Sequence, residues 1–265
     1  MTEKNKRMEW DSEAYDRLSD PQFSWGTKLL EMVTLTGSET VLDAGCGSGR
    51  LTAELLRRLP LGRVVAVDSS DNMLRTARER LEPEFGTCVR FVEADLGALK
   101  IDEQVDGIFS NAVFHWVPDH NALFRGLFAA LKPGGWLIAQ FGGKGNVSRL
   151  TSHLLTLRST PPFSSYLANW KDTKNNASEE ETAERMRNAG FTDVETGLHA
   201  APVQFPDAIS FVTFVRKVNA HRFVAQLPRE LEEKFLEHLA RQAALDDPPF
   251  LMDYMRLTIR ARKPA

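Results

Sequence analysis

The sequence predicts a doubly wound α/β fold on a mostly parallel sheet, and two observations carry that prediction. From residue 40 to 141, short β-branched runs alternate with amphipathic helical stretches, as βαβ units require. The first of those runs ends in glycines at alternate positions, Gly45, Gly47 and Gly49, and a helical pattern follows at once. Ligands of open α/β sheets bind at such strand ends. Composition agrees: of 265 residues 42% are hydrophobic and 26% charged, which is ordinary for a globular chain with a sizeable core.

Taken in order, residues 1–36 read as a leading helical segment carrying Trp10, Tyr15, Phe23 and Trp25. Strands are expected at Thr40–Ala44, Arg63–Asp68, Cys88–Glu93, Gln104–Ser110 and Gly135–Phe141. Between the first two, Leu51, Leu55, Leu56 and Leu59 share a helix face that Pro60 ends. Met73, Leu74, Ala77 and Leu81 form the next face, after the capping cluster Ser69-Ser70-Asp71, with Pro83 following. Asp119 caps a third helix with Leu123, Phe124, Leu127, Phe128 and Leu131 buried, and Lys132-Pro133-Gly134-Gly135 turns it into the fifth strand. Beyond Gly142 the rhythm changes. One short helix is expected near Leu150–Leu157, and a second over Ser178–Ala189 with a Ser178/Glu181 capping box and Gly190 as its stop. A sixth strand covers Phe191–Ala200, amphipathic helix fills 206–245, and Leu251–Arg262 is a last strand. In that strand Arg256, Arg260 and Arg262 alternate with Leu257, Ile259 and Ala261, so the arginines are expected on the wet face of an edge.

Several functional classes are disfavoured. No run approaches the roughly 20 apolar residues of a membrane span, and the first thirty residues lack the apolar core of a secretory signal. Cys46 and Cys88 do not make a disulfide framework, which points to a cytoplasmic setting. A net charge of −3 without a basic block argues against nucleic acid as partner. His153, His199, His221 and His238 show no metal-ligand spacing, so no metal is expected.

The glycine loop is the most informative stretch. Glycine permits positive φ and removes the Cβ that would hold a ligand off the backbone. The following strand ends in Asp68, whose carboxylate can accept both hydroxyls of a ribose. The spacing is G-x-G-x-G, not the G-x-G-x-x-G of dinucleotide sites, and Asp43 lies two residues before the first glycine. That favours an adenosyl ligand without a diphosphate, since a carboxylate attracts an ammonium or sulfonium and repels phosphates.

These residues resemble the class I S-adenosylmethionine-dependent methyltransferases. Val41–Gly49 is similar to their first motif and Asp68 to their ribose-binding acid. Glu93-Ala94-Asp95 is similar to their third motif, and Lys132–Gly135 to the turn before their fifth strand. The run Ser110–His120, together with the Tyr15…Gln22 spacing, resembles more narrowly the trans-aconitate, juvenile hormone acid and malonyl-carrier-protein methyltransferases. The resemblance implies a Rossmann-like sheet of seven strands, the last antiparallel, plus a helical cap. The implied organisation is an N-terminal cap segment (1–36), a cofactor-binding core (37–142), a cap insertion (143–177), core again (178–205), helical cap (206–249) and a final core strand (250–265).

The resemblance also implies roles. Gly45 and Gly47 admit the methionine moiety of S-adenosyl-L-methionine, with Asp43 near its ammonium; Asp68 binds the ribose and Met73 packs on adenine. Asp95 bonds the adenine amino group with Leu96 beside the ring, and Asn111 lies where methionine meets the acceptor pocket. Trp116 and Gln22 orient an acceptor carboxylate. His115 is the tentative catalytic residue, open between an orienting donor, a general base and a plain loop histidine. The expected reaction is in-line methyl transfer to a small carboxylic acid, giving a methyl ester. A carboxylate is already ionised at neutral pH and needs no base. Other small-molecule O-, N- or C-acceptors are the alternative, and a dinucleotide-dependent oxidoreductase is the alternative of a different class. The acceptor's identity and the oligomeric state stay open.

Overall fold

A computed structural model describes Trp10, Ser12, Asp16 and residues 18–265; Tyr15 lies outside them. The chain divides into two compact units. The first is drawn from Met1–Gly143, Lys174–Leu198 and Leu257–Ala265, the second from Lys144–Thr173 and His199–Arg256.

The first unit follows the βα rhythm of its sequence. Helix α1 (Asp20–Glu31) precedes β1 (Thr40–Ala44), α2 (Arg50–Arg57), β2 (Arg63–Asp68), α3 (Asp71–Phe85) and β3 (Val89–Glu93). Then come β4 (Val105–Asn111), α4 (His120–Ala130) and β5 (Leu131–Gly142). The sheet continues with β6 (Thr192–Ala200) and β9 (Met255–Arg262), in the order β3-β2-β1-β4-β5-β9-β6. β1 pairs in parallel with both β2 and β4, and β5 with β4, while β9 runs antiparallel between β5 and β6. Every residue of β1 is buried, as a central parallel strand with both faces covered requires. Val65, Val67, Leu123, Phe124 and Ile259 contribute to one core cluster, and Leu30, Val41, Leu55, Leu74 and Phe109 to another.

Four expectations are corrected. Pro83 lies inside α3, which carries it in the last turn before Gly86 at φ +50°. The Lys132–Gly135 stretch belongs to β5 as a register irregularity, Val105 facing Leu131 but Gly107 facing Trp136, with Gly134 at φ +76°. The last strand is two, because Asp253 and Tyr254 interrupt it: β8 (Leu251–Met252) pairs with β7 (Val203–Gln204), and only β9 joins the large sheet. β9 is therefore interior, not an edge, and Arg256 is 3% exposed where a wet face was expected, whereas Arg260 and Arg262 are exposed.

The second unit is helical apart from the β7–β8 pair. Residues 206–245 are not one helix: Ala208–Phe214 passes into a π turn at Val215–Asn219, then His221–Val224, and Pro228 restarts the chain as Arg229–Ala243. Helix Ser148–Arg158 packs on that last helix, and aromatic rings interlock, Phe163 edge-on to Phe235 and Trp170 to Phe223.

Candidate functional site

The site is assembled at the carboxyl ends of β1, β2, β3 and β4. Gly45 (φ +87°) turns the chain out of β1, and its N–H and that of Cys46 both donate to the Val67 carbonyl, at 2.8 and 2.9 Å. A Cβ on Gly45 would lie 2.3 Å from Val113 Cγ2, so this glycine is required for packing as well as for φ. Gly47 differs: at φ +54°, a Cβ there would meet nothing within 4 Å. Space for a ligand therefore lies above Gly47. Gly49, which begins α2, is closed off by Leu81 and Ala77 of α3.

Two carboxylates face this loop. Asp43 is 2% exposed and accepts from the Thr52 hydroxyl at 2.6 Å. Burial pushes its carboxyl from the ordinary 3.8 up to about 7, opposed by the Thr52 hydrogen bond and assisted by the charge of Asp68. Asp68 accepts the Gly47 N–H on Oδ2 and the Ser70 N–H on Oδ1, both at 2.9 Å, which fixes its carboxylate beside the loop. Burial also pushes the Cys46 thiol well up, and both aspartates add to that, so Cys46 is no nucleophile here.

The Ser70 hydroxyl caps α3 by accepting the Met73 N–H at 3.3 Å, and Met73 is buried in its first turn. The Ala94 N–H donates to the Asp68 carbonyl at 3.0 Å, which carries the end of β3 alongside that of β2. Asp95 follows, exposed, capping the short turn Leu96–Ala98 through the Gly97 N–H at 2.8 Å, and Leu96 is buried. Asp43, Gly47, Asp68, Met73 and Asp95 thus lie at or just beyond the carboxyl ends of β1, β2 and β3.

Across β1 from that rim, Asn111 ends β4. Its Nδ2 donates to the Gln22 carbonyl of α1 at 2.9 Å, while Asn111 Oδ1 and Gln22 Oε1 are buried and have no hydrogen-bond partner among the described residues. Two unsatisfied buried acceptors at one place are uncommon in a folded chain and are what a bound donor would satisfy. The next residue, Ala112, holds φ +63°, its N–H bonded to Gln140 O at 2.7 Å, a strained backbone at the mouth of the site.

The turn Phe114–Trp116 follows. His115 is 8% exposed, and its Nδ1 accepts the Gly142 N–H at 3.3 Å. That bond requires the lone pair on Nδ1, and so the tautomer with the ring proton on Nε2. His120, the first residue of α4, holds the turn from behind: Nε2 lies 3.0 Å from the Phe114 carbonyl, Arg185 reaches Nδ1 at 3.5 Å, and burial pulls the imidazole down to about 4. Trp116 meets Trp10 edge-on, ring centroids 5.5 Å apart, and Lys174 Nζ lies 5.1 Å from its ring.

Several participants escape sequence reading. Thr52 shows no motif, nor does Lys174. Asp16 bonds the Ser48 hydroxyl and pairs with Arg80, and the Arg80 Nε donates to Ser48 O at 2.9 Å, so the chain before α1 is fastened to the glycine loop.

The residues fit a cationic adenosyl ligand. Paired carboxylates, an open approach above Gly47 and unsatisfied buried acceptors at Asn111 and Gln22 suit an ammonium, and an anionic rim opposes a diphosphate.

The comparisons with known proteins agree. Residues 41–135 match a family model described as a methyltransferase domain. The chain is 31% identical over 280 residues to the trans-aconitate 2-methyltransferase of Variovorax paradoxus, covering 97% of this chain and all of that protein. It is 44% identical to the enzyme of that name from an Azoarcus species over 131 residues, where the match spans about half of each chain. Among solved structures, the Haemonchus contortus phosphoethanolamine N-methyltransferase 2 in complex with S-adenosyl-L-methionine superposes with a TM-score of 0.62 at 18% identity, covering 96% of this chain and 57% of that one. The mycolic acid cyclopropane synthase CmaA1, complexed with S-adenosylhomocysteine, gives 0.60 at 18%, over 91% and 84%. Both share the fold. Full-length identity to the Variovorax enzyme and the domain match over the glycine loop together establish that this chain belongs to the class I S-adenosylmethionine-dependent methyltransferases and is an enzyme of that cofactor.

Proposed function

We propose that the enzyme methylates a carboxylate of a small organic acid, giving a methyl ester. The observation that carries this is the state of His115. With Nδ1 engaged by the Gly142 N–H, the ring is a donor at Nε2 and has no lone pair free to take a proton. Phenol and amine acceptors call for a base within reach, whereas a carboxylate is ionised already and needs orienting donors. His115 Nε2 and the Trp116 indole N–H are the donors proposed for that task, with Gln22 as a third contact. The relatives' names, trans-aconitate 2-methyltransferase, point to the same substrate class.

Asp68 is the proposed ribose ligand, with Met73 and Leu96 flanking adenine and Asp95 bonding its amino group. Asp43 and the Asn111 side-chain carbonyl are assigned to the ammonium end and Gly47 to the close backbone approach, with Gly45 shaping the turn beneath it. When bound, S-adenosylmethionine supplies an activated methyl group on a sulfonium. The protein's part is to hold the acceptor oxygen in line and strip its water, and proximity accounts for much of the barrier reduction. No proton moves. Family membership sets aside the dinucleotide-dependent alternative.

The test is incubation of the purified enzyme with the cofactor and a panel of mono-, di- and tricarboxylic acids, followed by mass spectrometry before and after mild alkali. A product whose added methyl is released as methanol supports the ester. An alkali-stable methyl on a hydroxyl, amine or carbon acceptor overturns it.

A further inference from the structure

We propose that Lys174 is a specificity-determining residue that receives a second carboxylate of the acceptor, so that the enzyme selects di- and tricarboxylic acids over monoacids. The inference rests on the carboxylate reading above. Residues 174–177 form neither helix nor strand, yet this stretch is fastened to the turn that carries His115 and Trp116. The Asn175 N–H donates to the His115 carbonyl at 2.8 Å, and Asn175 Nδ2 donates to the Pro118 carbonyl at 2.9 Å. Ala177, 2% exposed, and the Ser178 capping box anchor the other end. Lys174 thereby starts from a fixed backbone, and its half-buried side chain lies with Nζ 5.1 Å from the Trp116 ring.

Chemistry gives the placement meaning. Asp68 and, once ionised, Asp43 face the loop on the rim of β1 and β2. An acceptor carrying two or three negative charges gains from a cation on its own side of the site. The face of Trp116 holds an ammonium through the ring quadrupole, and a carboxylate engages the same ammonium by charge-assisted hydrogen bonds. A monoacid, oriented by His115 and Trp116 alone, draws nothing from Lys174. One cation beside the orienting turn thus converts a general acid site into one that counts carboxylates.

Calorimetry on the protein–S-adenosylhomocysteine complex tests this without turnover, with trans-aconitate as triacid and crotonate as monoacid. Wild type is expected to bind the triacid more tightly. Lys174→Gln should weaken the triacid about 10–100-fold, the loss of a charge-assisted hydrogen bond, and leave crotonate and S-adenosylhomocysteine affinities unchanged. Lys174→Arg should restore most of the loss. Equal weakening of both acids, or of neither, overturns the assignment while the carboxylate reading stands. If the wild-type complex binds neither acid, the carboxylate reading falls and Lys174 with it.

Discussion

Asp43 makes cofactor binding a proton-linked reaction. Burial holds its carboxyl at about 7, well above the ordinary carboxylate, because β1 is covered on both faces; among the described residues Thr52 offers its side-chain hydrogen bond. Under the proposed arrangement the cofactor's ammonium binds the ionised form. The ionised fraction is about 0.03 at pH 5.5 and about 0.76 at pH 7.5, so affinity should rise about 25-fold over that window and level off above it. S-adenosylhomocysteine is the suitable probe, since its ammonium stays protonated throughout. Titration calorimetry at pH 6 in two buffers of different ionisation enthalpy should report about 0.9 proton released per ligand bound.

Asp43→Asn keeps an acceptor for Thr52 and removes the charge. Its affinity should be flat with pH, below wild type at pH 5.5 and further below at pH 7.5, with no proton release. The unliganded protein gives the complementary sign. A buried acid with a raised folded value binds a proton that the unfolded chain does not, from about pH 4 to about pH 7. Its contribution to stability is therefore fully present below pH 4 and is lost as pH rises through 7, up to about 4 kcal/mol. Saturating cofactor should remove that decline. An affinity flat with pH in wild type, or an equal slope in Asp43→Asn, would refute the ammonium assignment.

Other substitutions separate the two ends of the site. Asp68→Ala takes away the proposed ribose acceptor and the anchor of the Gly47 and Ser70 N–H groups; S-adenosylhomocysteine affinity should fall about 30–100-fold with circular dichroism unchanged, and an unaltered calorimetric affinity would remove Asp68 from the cofactor. Trp116→Phe keeps a ring and loses its N–H, so the acceptor KM should rise about tenfold with cofactor affinity untouched; the reverse pattern would place Trp116 elsewhere. Gly45→Ala forces a Cβ to 2.3 Å from Val113 Cγ2 at a positive φ, which should cost about 2–4 kcal/mol in urea denaturation. Val113→Ala should recover part of that loss, and an unchanged midpoint in Gly45→Ala would contradict the packing role.

The parallel half of the fold was legible because its apolar runs alternate with amphipathic helices, and two of those helices are also announced by a side-chain cap. Ser70, Asp119 and Ser178 all cap helices as their sequence contexts indicate. Beyond Gly142 the signals weaken for a physical reason. Arg256 sits in an alternating pattern that reads as one amphipathic edge strand, and nothing local reveals that β9 is inserted between β5 and β6 or that its first arginine is buried while Arg260 and Arg262 stay exposed. Periodicity reports which residues share a face; it does not report whether that face is wet.

The site shows the same division, most sharply in its glycines. Gly45, Gly47 and Gly49 are equivalent in the sequence, and a motif reading assigns the first two to ligand approach. In the structure a Cβ at Gly45 collides with Val113, one at Gly49 with Leu81, and one at Gly47 meets open space. Only Gly47 is glycine for φ and for whatever lies above it, while its neighbours are also glycine for the packing of the turn and of α3. A motif compresses these demands into one spacing because each is met by the same missing atom. Separating them takes the positions of Val113 and Leu81, which are 68 and 32 residues away in the chain. Larger residues at Gly47 should therefore fold and lose cofactor affinity, whereas at Gly45 or Gly49 stability should fall with affinity.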